Sequence, residues 1–564
     1  MRKTGRFFIK FIRLAGPFWG AENQGQNRGL LMALVALTLL QIAISVIVTE
    51  WSADLFDALE QRSMTRLFTQ VGLIILICLA NMAITATHLI IKRRLQLAWR
   101  GWLTDKLIGQ WMYDGRHYLV THIVGQHDNP DGRIAEDIRI ATEYAIDLLH
   151  TLFYCVVLLI SFSSILWSLS GTLTLDFGVL DFPLQGHLVW LALIYAASAS
   201  ILGWWIGRPL TTATDHRQTV EANFRFALVK ARENSLAIAL IHGEPHEAPH
   251  FHHLFGDIVN AWNQQTQAWS RITMFSSGYS ILSMAFPVLV SAPRYILGSI
   301  TLGTLMQSAQ VFQQMVSALS WPVDNMGKVA EWRASVERVL GLSNALQQLE
   351  WEIAKPDPHR ITLLKNPESV LRFRDLYITR LDGIVCVEAL NETIHPGDRV
   401  LIAGNAFTGN KLFKAIAGLW PWGEGFIELP DGDALFFMPP RPYLPTGSLR
   451  AAISYPFGSH HFEQTRLELC FELAGVSSLL EQLDQRSDWE KNLQREVQQR
   501  LGLVRLLLQK PKWILIQEAF DSLDPNGEVA MIKLINQYLP DSAVLTITNQ
   551  PDIQELHSRR IELC

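Results

Sequence analysis

Charged residues are scarce in this 564-residue sequence, at 18% against about 25% in an ordinary soluble domain. Net charge is nearly absent too: 48 Lys and Arg face 53 Asp and Glu, leaving −5. No global field therefore draws the chain to DNA or RNA, and nucleic acid is excluded as a partner. Cysteine is rare. Cys78, Cys155, Cys386, Cys470 and Cys564 lie far apart and form no C-x-x-C, which excludes a metal knuckle or disulfide framework and leaves free, buried thiols as the expectation. Residues 1–27 are polar and basic without an apolar core segment, so no cleavable signal peptide is expected. What abounds is apolar surface: 49% hydrophobic residues, 18 Trp, 27 Phe and a mean hydropathy of +0.15. A disordered chain is thereby excluded. Length alone predicts two or more domains. Long charge-free stretches sit in the first 325 residues and ordinary soluble composition follows, so the expectation is a membrane region with a soluble region after it.

A membrane span needs about 20 consecutive apolar residues. Gly29 to Thr49 qualifies without a charge, and Leu67 to Ile91 follows, closed by Lys92-Arg93-Arg94. Further candidates run from about Ile146 to Ser168, His187 to Ile206 and Met274 to Ser291, the last containing Pro287. A sixth, about Gly303 to Trp321, is interrupted by Gln307, Gln310, Gln313 and Gln314, which places it facing a bundle interior or a water-filled path. Six spans are expected.

Basic residues set the orientation. Arg2, Lys3, Arg6, Lys10 and Arg13 precede the first span, Lys92 to Arg100 follow the second, and Arg208, Arg217 and Arg225 follow the fourth. The connection Gly171 to Gly186 carries Asp176 and Asp181 and no basic residue. Both termini are thus read as cytoplasmic. The inside connections, about Lys92 to Ala145 and Gly207 to Thr273, are long and helix-compatible, so helices should continue well beyond the hydrocarbon.

From about Arg372 the pattern becomes short β-branched runs separated by turns. Arg399 to Ala403 reads as a buried strand, followed by Gly404-Asn405-Ala406-Phe407-Thr408-Gly409 and a helical run, Leu412 to Leu419. Strand, glycine-bounded loop and helix form the context of a phosphate-binding P-loop. The motif needs Lys after its second glycine and then a hydroxyl for Mg²⁺; here Asn410 follows Gly409 and Lys411 takes the hydroxyl position. A second strand, Trp513 to Ile516, ends at Gln517-Glu518. A neutral amide there offsets a metal's charge poorly, while Glu518 could orient a water. A third strand, Ala543 to Thr548, ends at Asn549. Such alternation predicts a parallel α/β sheet with its site at the carboxyl ends.

These motifs, in this order, resemble an ABC transporter with fused membrane and nucleotide-binding domains. The branch it resembles contains the bacterial SbmA/BacA-like peptide transporters, related to the peroxisomal fatty-acyl transporters. Asn129-Pro130-Asp131-Gly132-Arg133-Ile134-Ala135-Glu136-Asp137-Ile138 is similar to that branch's cytoplasmic-loop motif. So are Ala417 to Pro421, Arg441 to Pro445, Gly447 to Arg450, Pro511-Lys512-Trp513 and Ser522-Leu523-Asp524 to its later stretches. The resemblance implies an exporter-like six-span helical domain (residues 1–345), a linker (346–370) and an α/β P-loop-type nucleotide-binding domain (371–564). It also implies ATP and Mg²⁺ as cofactors at Gly404, Gly409, Asn410, Lys411 and Gln517, with Tyr377 stacking on adenine and Glu518 as the residual catalytic group. Asn129, Pro130, Asp131, Arg133, Glu136 and Asp137 would form a coupling loop. It implies a bacterial inner membrane, lipid contact, a homodimer or a heterodimer with a second ABC chain, and a transported small molecule, peptide, cobalamin-like or lipid-like compound.

Departures accompany the match. Pro440 stands where the Q-loop glutamine is expected, Gln494 and Glu496 where the signature serine and glycine are, and Asn549 where the switch histidine is. Of the usual ATP-handling residues only Glu518 keeps its type, so impaired hydrolysis is expected. Two other readings stand beside this one: an active ATPase in which Lys411 substitutes for the lost lysine, and a non-transporting membrane pseudo-ATPase that serves another transporter. Five of the 17 histidines fall between His242 and His253, but Pro245 and Pro249 break the pattern, so a solvated loop rather than a metal site is expected. His88, Asp147 and Glu50, at or near span ends, read as interfacial anchors.

Overall fold

The computed structural model describes residues 2–20, 24–122, 129–176, 181–354, 359–380, 383–404, 406–432, 435–548 and 551–563. The chain divides into two units: Met1–Trp111 with Gly125–Ala345, and Met112–Val124 with Leu346–Cys564.

The first unit is helical. Helix α1 (Arg2–Gly20) precedes α2 (Gln24–Glu60) and α3 (Met64–Met112); then come α4 (Ile138–Ser170), α5 (His187–Glu233) and α6 (Glu244–Ile296). Five helices among the described residues are long and apolar enough to cross a membrane, and they run for 36 to 59 residues. That is well beyond the ~20 needed for the hydrocarbon, as the long helix-compatible connections predict. Pro287 is buried within α6, which runs on through it, as packed neighbours can allow. The expected sixth span is α7 (Leu302–Leu319), an 18-residue helix that is not among those five. Its Val311, Phe312 and Met315 are buried in one core with Phe162 and Leu166 of α4 and Ala192 of α5.

The start of α7 is held by α2. Asp57 Oδ1 accepts from the Gly303 amide at 2.8 Å and Glu60 Oε2 from the Leu302 amide at 3.0 Å, placing two carboxylates at a helix N-terminus. Helix α8 (Met326–Ala354) leaves the unit and continues into the second.

Four local expectations are corrected. The connection 171–186 is not plain loop: β1 (Thr172–Asp176) and β2 (Asp181–Gln185) pair antiparallel, residues 177–180 lying outside the described ones. The histidine segment is helical from Glu244 on, His242 lying in the turn before it (φ +53°), because Pro245 sits in the first turn of α6, where its missing N–H costs nothing, and Pro249 is carried inside the helix. His88 is buried rather than interfacial, and its Nε2 lies 2.8 Å from His150 Nε2. Asp147 pairs with Lys92 at 2.9 Å, and Glu50 is exposed. The four described cysteines are free, but only Cys470 is buried and Cys78 is exposed.

Among the described residues the second unit holds two large sheets and a two-residue antiparallel pair, Gly447–Ser448 with Arg486–Ser487. β3 (Thr362–Asn366), β4 (Leu371–Thr379), β5 (Val385–Ile394) and β7 (Gly423–Pro430) form a mixed sheet ordered β3-β7-β4-β5. Residues 346–370, expected as a linker, carry the end of α8 and β3. Five parallel strands make the other sheet: β6 (Arg399–Ala403), β8 (Leu435–Met438), β9 (Trp513–Gln517), β10 (Ala543–Ile547) and β11 (Arg559–Glu562), in the order β11-β6-β10-β9-β8. β6, β9 and β10 carry four or five buried residues out of five or three in a row, the near-continuous apolar pattern of strands covered on both faces. Helix α9 (Ala406–Ile416) buries Leu412, Phe413, Ala415 and Ile416 in a core shared by residues of both sheets. Helix α10 (Arg495–Gln509) and α11 (Pro525–Tyr538) close a second core.

Candidate functional site

The carboxyl ends of the parallel strands gather most of the sequence-predicted nucleotide residues. Gly404 follows β6 with φ +126°, and a Cβ there would stand 2.9 Å from Leu563 O, so the turn admits glycine alone. Asn405 lies outside the described residues. Helix α9 then begins at Ala406, six residues before the expected Leu412, so 406–409 is the first turn of a helix rather than open loop. Gly409 lies on that helix against β10: a Cβ would meet Ile547 Cδ1 at 2.8 Å.

Asn410 lines a pocket of about 280 Å³ with Phe413, Lys414, Phe437, Met438, Leu515 and Gln517, so a largely apolar wall with one lysine surrounds the two amides. Lys411 goes elsewhere. It is only 6% exposed, and its Nζ lies 4.0 Å from the centroid of the Trp420 ring, a cation–π contact. Trp420 is itself fixed by an indole N–H donating to Thr379 O at 2.9 Å. The ammonium is thus spent on an aromatic face.

At the end of β9, Gln517 and Glu518 are half-buried; Glu518 has φ +43° and its amide donates to Ile547 O at 3.1 Å. A non-glycine residue in that region marks a constrained turn. Next to it sits a carboxyl that sequence reasoning missed. Glu528, in the first turn of α11, is 4% exposed and its Oε2 has no hydrogen-bond partner among the described residues. Burial first, then Asp521 and Glu518, push this carboxyl above its ordinary pKa.

Gln499 is a second missed residue. Fully buried, its amide donates to Pro440 O at 3.0 Å and to Asp521 Oδ1 at 2.5 Å, while its oxygen accepts from the Ser522 amide at 3.1 Å. It therefore ties the Q-loop position to the segment after β9. The only sequence signal was its place in Gln498-Gln499-Arg500. At the start of α10, Gln494 occupies the N-cap without a side-chain cap bond, and Glu496 pairs with Arg500 at 3.0 Å. The helix end that elsewhere suits an anion here carries a carboxylate. Tyr377 lies on β4 of the mixed sheet, over a third exposed. Asn549 lies outside the described residues.

The structure separates the expected coupling loop into two halves. Asn129, Asp131 and Glu136 are exposed and Pro130 is half-buried, whereas Arg133 and Asp137 are buried. Asp137 accepts two bonds from the Arg338 guanidinium, at 2.8 and 2.5 Å, and Arg133 donates to Arg338 O at 3.2 Å. Residues Arg133–Asp137 form a π-helical turn, the kind of local irregularity that often marks function.

Another chain segment, unremarked in the sequence, joins the second unit. Residues Tyr113–His122 fold as three short turns, opened by left-handed Asp114 (φ +46°) and Gly115 (φ +70°). A Cβ on Gly115 would stand 2.6 Å from Leu419. His122 packs on Trp420 and Trp422 at 5.4 and 5.6 Å, and Lys414 Nζ lies 5.4 Å over Tyr118. Trp420 thus touches both this segment and Lys411. Among the described residues no group of three or more His, Cys, Asp or Glu could hold a metal ion.

Residues 20–296 match the family described as ABC transporter transmembrane region 2. The inner membrane ABC transporter ATP-binding protein YddA of Escherichia coli is 28% identical over 97% of this chain and 96% of its own. The chloroplastic ABC transporter D family member 2 of Arabidopsis thaliana is 26% identical over 98% of this chain and 86% of its own. Among solved structures, a bacterial Atm1-family ABC exporter with ATP bound superposes with a TM-score of 0.69, at 15% identity, covering 95% of this chain and 93% of that one, which establishes the fold. A helical membrane unit, a parallel sheet ending in a strand–glycine–helix turn and relatives matched from end to end agree: this chain has an ABC exporter fold and is similar over nearly its whole length to ABC transporter polypeptides with fused transmembrane and ATP-binding regions, D-family transporters among them.

Proposed function

We propose that the protein moves a small molecule, peptide or lipid-like compound across a bacterial inner membrane, as a dimer, with a nucleotide domain that turns over little or no ATP. The observation that carries the second part is the position of Lys411. Phosphoryl transfer depends on Lys and Mg²⁺ to neutralise charge as it develops. Here the lysine nearest the expected position faces Trp420, the residue after Gly409 is a neutral amide, and the strand that should end in a metal-holding carboxylate ends in Gln517. An early helix start at Ala406 leaves no glycine-rich cradle between β6 and α9 beyond Gly404 and Asn405. The residues present do not fit a triphosphate with its Mg²⁺. Lys411 is equally unsuited to stand in for the missing P-loop lysine.

Homodimer or heterodimer assembly rests on one chain supplying one membrane region and one nucleotide-binding-like region, residues 371–564. The SbmA/BacA-like branch, both termini in the cytoplasm, and Gln310 and Gln314 of α7 lining the path as a sixth span belong to the same reading. The test is phosphate release by the purified protein in lipid, alone and as Asn410→Lys/Lys411→Ser/Gln517→Asp. Little release by the unmodified chain is expected. Robust Mg²⁺-dependent turnover abolished by Glu518→Gln overturns the reading. Vesicle uptake separates a transporter from a non-transporting partner subunit.

A further inference from the structure

Four contacts fix the register of α5 against α6. Tyr195 Oη donates to Tyr279 O at 2.7 Å, with the two rings stacked at 4.6 Å. A Cβ on Gly203 would stand 3.7 Å from Phe275 Cε1, and one on Gly207 would stand 3.8 Å from Ile272 Cδ1. Gln265 Nε2 donates to Thr214 Oγ1 at 2.9 Å. Residue numbers on α6 fall as those on α5 rise, so the helices run antiparallel. Arg208 follows Gly207 and Arg271 precedes Ile272, which sets both arginines at one level of the pair.

The two arginines line a groove of about 840 Å³ with Trp205, Ile206, Met274 and Phe275. Both arginines are exposed, and so are Trp205 and Met274, at 69% and 73%. Donors and apolar faces therefore reach the open side of the groove. No carboxylate lines it, and residues 187–214 and 258–323 contain no Asp or Glu. Like charges at one level repel, and neither stretch supplies an acid to offset them.

The groove is also polarised along the helices. The apolar run His187 to Ile206 stops two residues before Arg208, and the run Met274 to Ser291 begins three residues after Arg271. On both helices the apolar lining thus lies on the span side of the arginine. Such a level is where headgroup phosphates meet a spanning helix, with indoles beside them.

We propose that this groove holds an anionic phospholipid of the surrounding bilayer. Its phosphate lies between Arg208 and Arg271, and the upper part of one acyl chain runs along Trp205, Met274 and Phe275. The planar guanidinium fork matches a pair of phosphate oxygens. A zwitterionic headgroup brings its own cation toward two others. A soluble phosphate leaves the apolar wall uncovered. A second copy that met this face with its own would set arginine against arginine. The inference stands apart from the ATP and transport readings above.

The experiment uses the full chain in phosphatidylcholine nanodiscs doped with a phosphatidylglycerol that carries a diazirine near the top of one acyl chain. Irradiation should give saturable labelling within 205–209 and 271–275. It should exceed that of the matching phosphatidylcholine probe by about fivefold for each arginine, hence about twentyfold for the pair. Arg208→Gln/Arg271→Gln should remove the preference, and Arg208→Lys/Arg271→Lys, which keeps both charges, should retain most of it. Should the double glutamine variant fail to insert, Arg271→Gln alone decides, with the preference expected to fall to about fivefold. Equal labelling by the two headgroups overturns the proposal. So does a preference that survives the glutamine substitutions, or one that the lysine pair loses as completely. Competition by soluble glycerol phosphate assigns the groove to a free anion, and disulfide capture of a second copy by Met274→Cys in place of labelling assigns it to that copy. Either result overturns the lipid.

Discussion

Lys411 and His557 show two ways in which a single side chain fixes what its surroundings can do. Replacing Lys411 by Met keeps a stem of similar length and removes the charge from Trp420. The expected loss in stability is ~0.5–2 kcal/mol, the range of a cation–π contact, read as a small fall in the thermal midpoint with phosphate release unchanged. His557 is held neutral from both sides: Nδ1 donates to Ile553 O at 2.9 Å and Nε2 accepts from Thr546 Oγ1 at 2.8 Å. Burial is the main cause that lowers its pKa below 6.5, and Arg399 adds to it, against the opposing bond to Ile553. A lowered histidine pKa gives stability that is complete above 6.5 and lost as pH falls from there through the folded-state value. Wild type should therefore lose thermal midpoint between pH 7 and pH 5 more steeply than His557→Gln. Parallel slopes count against this assignment. The order Asn410-Lys411 was legible in the sequence, since motif positions are local. The direction of Lys411 was not, because it depends on Trp420 and on a helix that starts early. Glu528 and Gln499 escaped for the same reason: their partners are brought in by β9, α10 and α11, which sequence spacing does not bring together.

At the scale of elements, strands and long helices followed from runs of apolar residues, whereas α7 depended on its neighbours. Its four glutamines weaken the hydropathy signal, yet the helix is buried among α2, α4, α5 and α6 because Gly303 lets its first turn touch α2. A Cβ at 303 would stand 2.3 Å from Ala53 O and 2.4 Å from Asp57 Oδ1. Gly303→Val should cost ~1–3 kcal/mol by overpacking and lower the thermal midpoint of the detergent-solubilised protein. Gly327→Ala, in α8 with nothing within 4 Å of the added carbon, should leave it unchanged or slightly raised. Equal effects of the two substitutions contradict this account of the α2–α7 junction. The neighbouring amide network belongs to the same junction: Gln310 Nε2 donates to Ser52 Oγ at 2.9 Å, so its polarity is partly used for packing against α2. Gln314 is exposed, and substitution of both by Leu should reduce uptake while membrane insertion persists.

For the molecule as a whole, the basic-residue pattern makes orientation testable from outside the cell. In a background without native cysteines, Asp181→Cys should react with an impermeant maleimide and Asp131→Cys, on an exposed position, should not. Reaction at 131 in intact cells reverses the assignment. Composition divides an apolar, charge-poor first part of the chain from an ordinary second part, since apolar length and charge density are averages over many residues. It could not find the excursion at 113–122, a short stretch whose partners, Leu419, Trp420 and Trp422, lie some 300 positions later. That excursion has a practical corollary for anyone cutting the gene. A fragment beginning at 346 is missing a piece of its own wall: with residues 112–124 removed, the two indoles and Leu419 are uncovered and the truncated product should self-associate. Grafting 112–124 onto such a fragment, or supplying it as a free peptide, should restore a monodisperse species, so the smallest autonomous version of this unit is stitched from two non-adjacent stretches of sequence rather than clipped from one end.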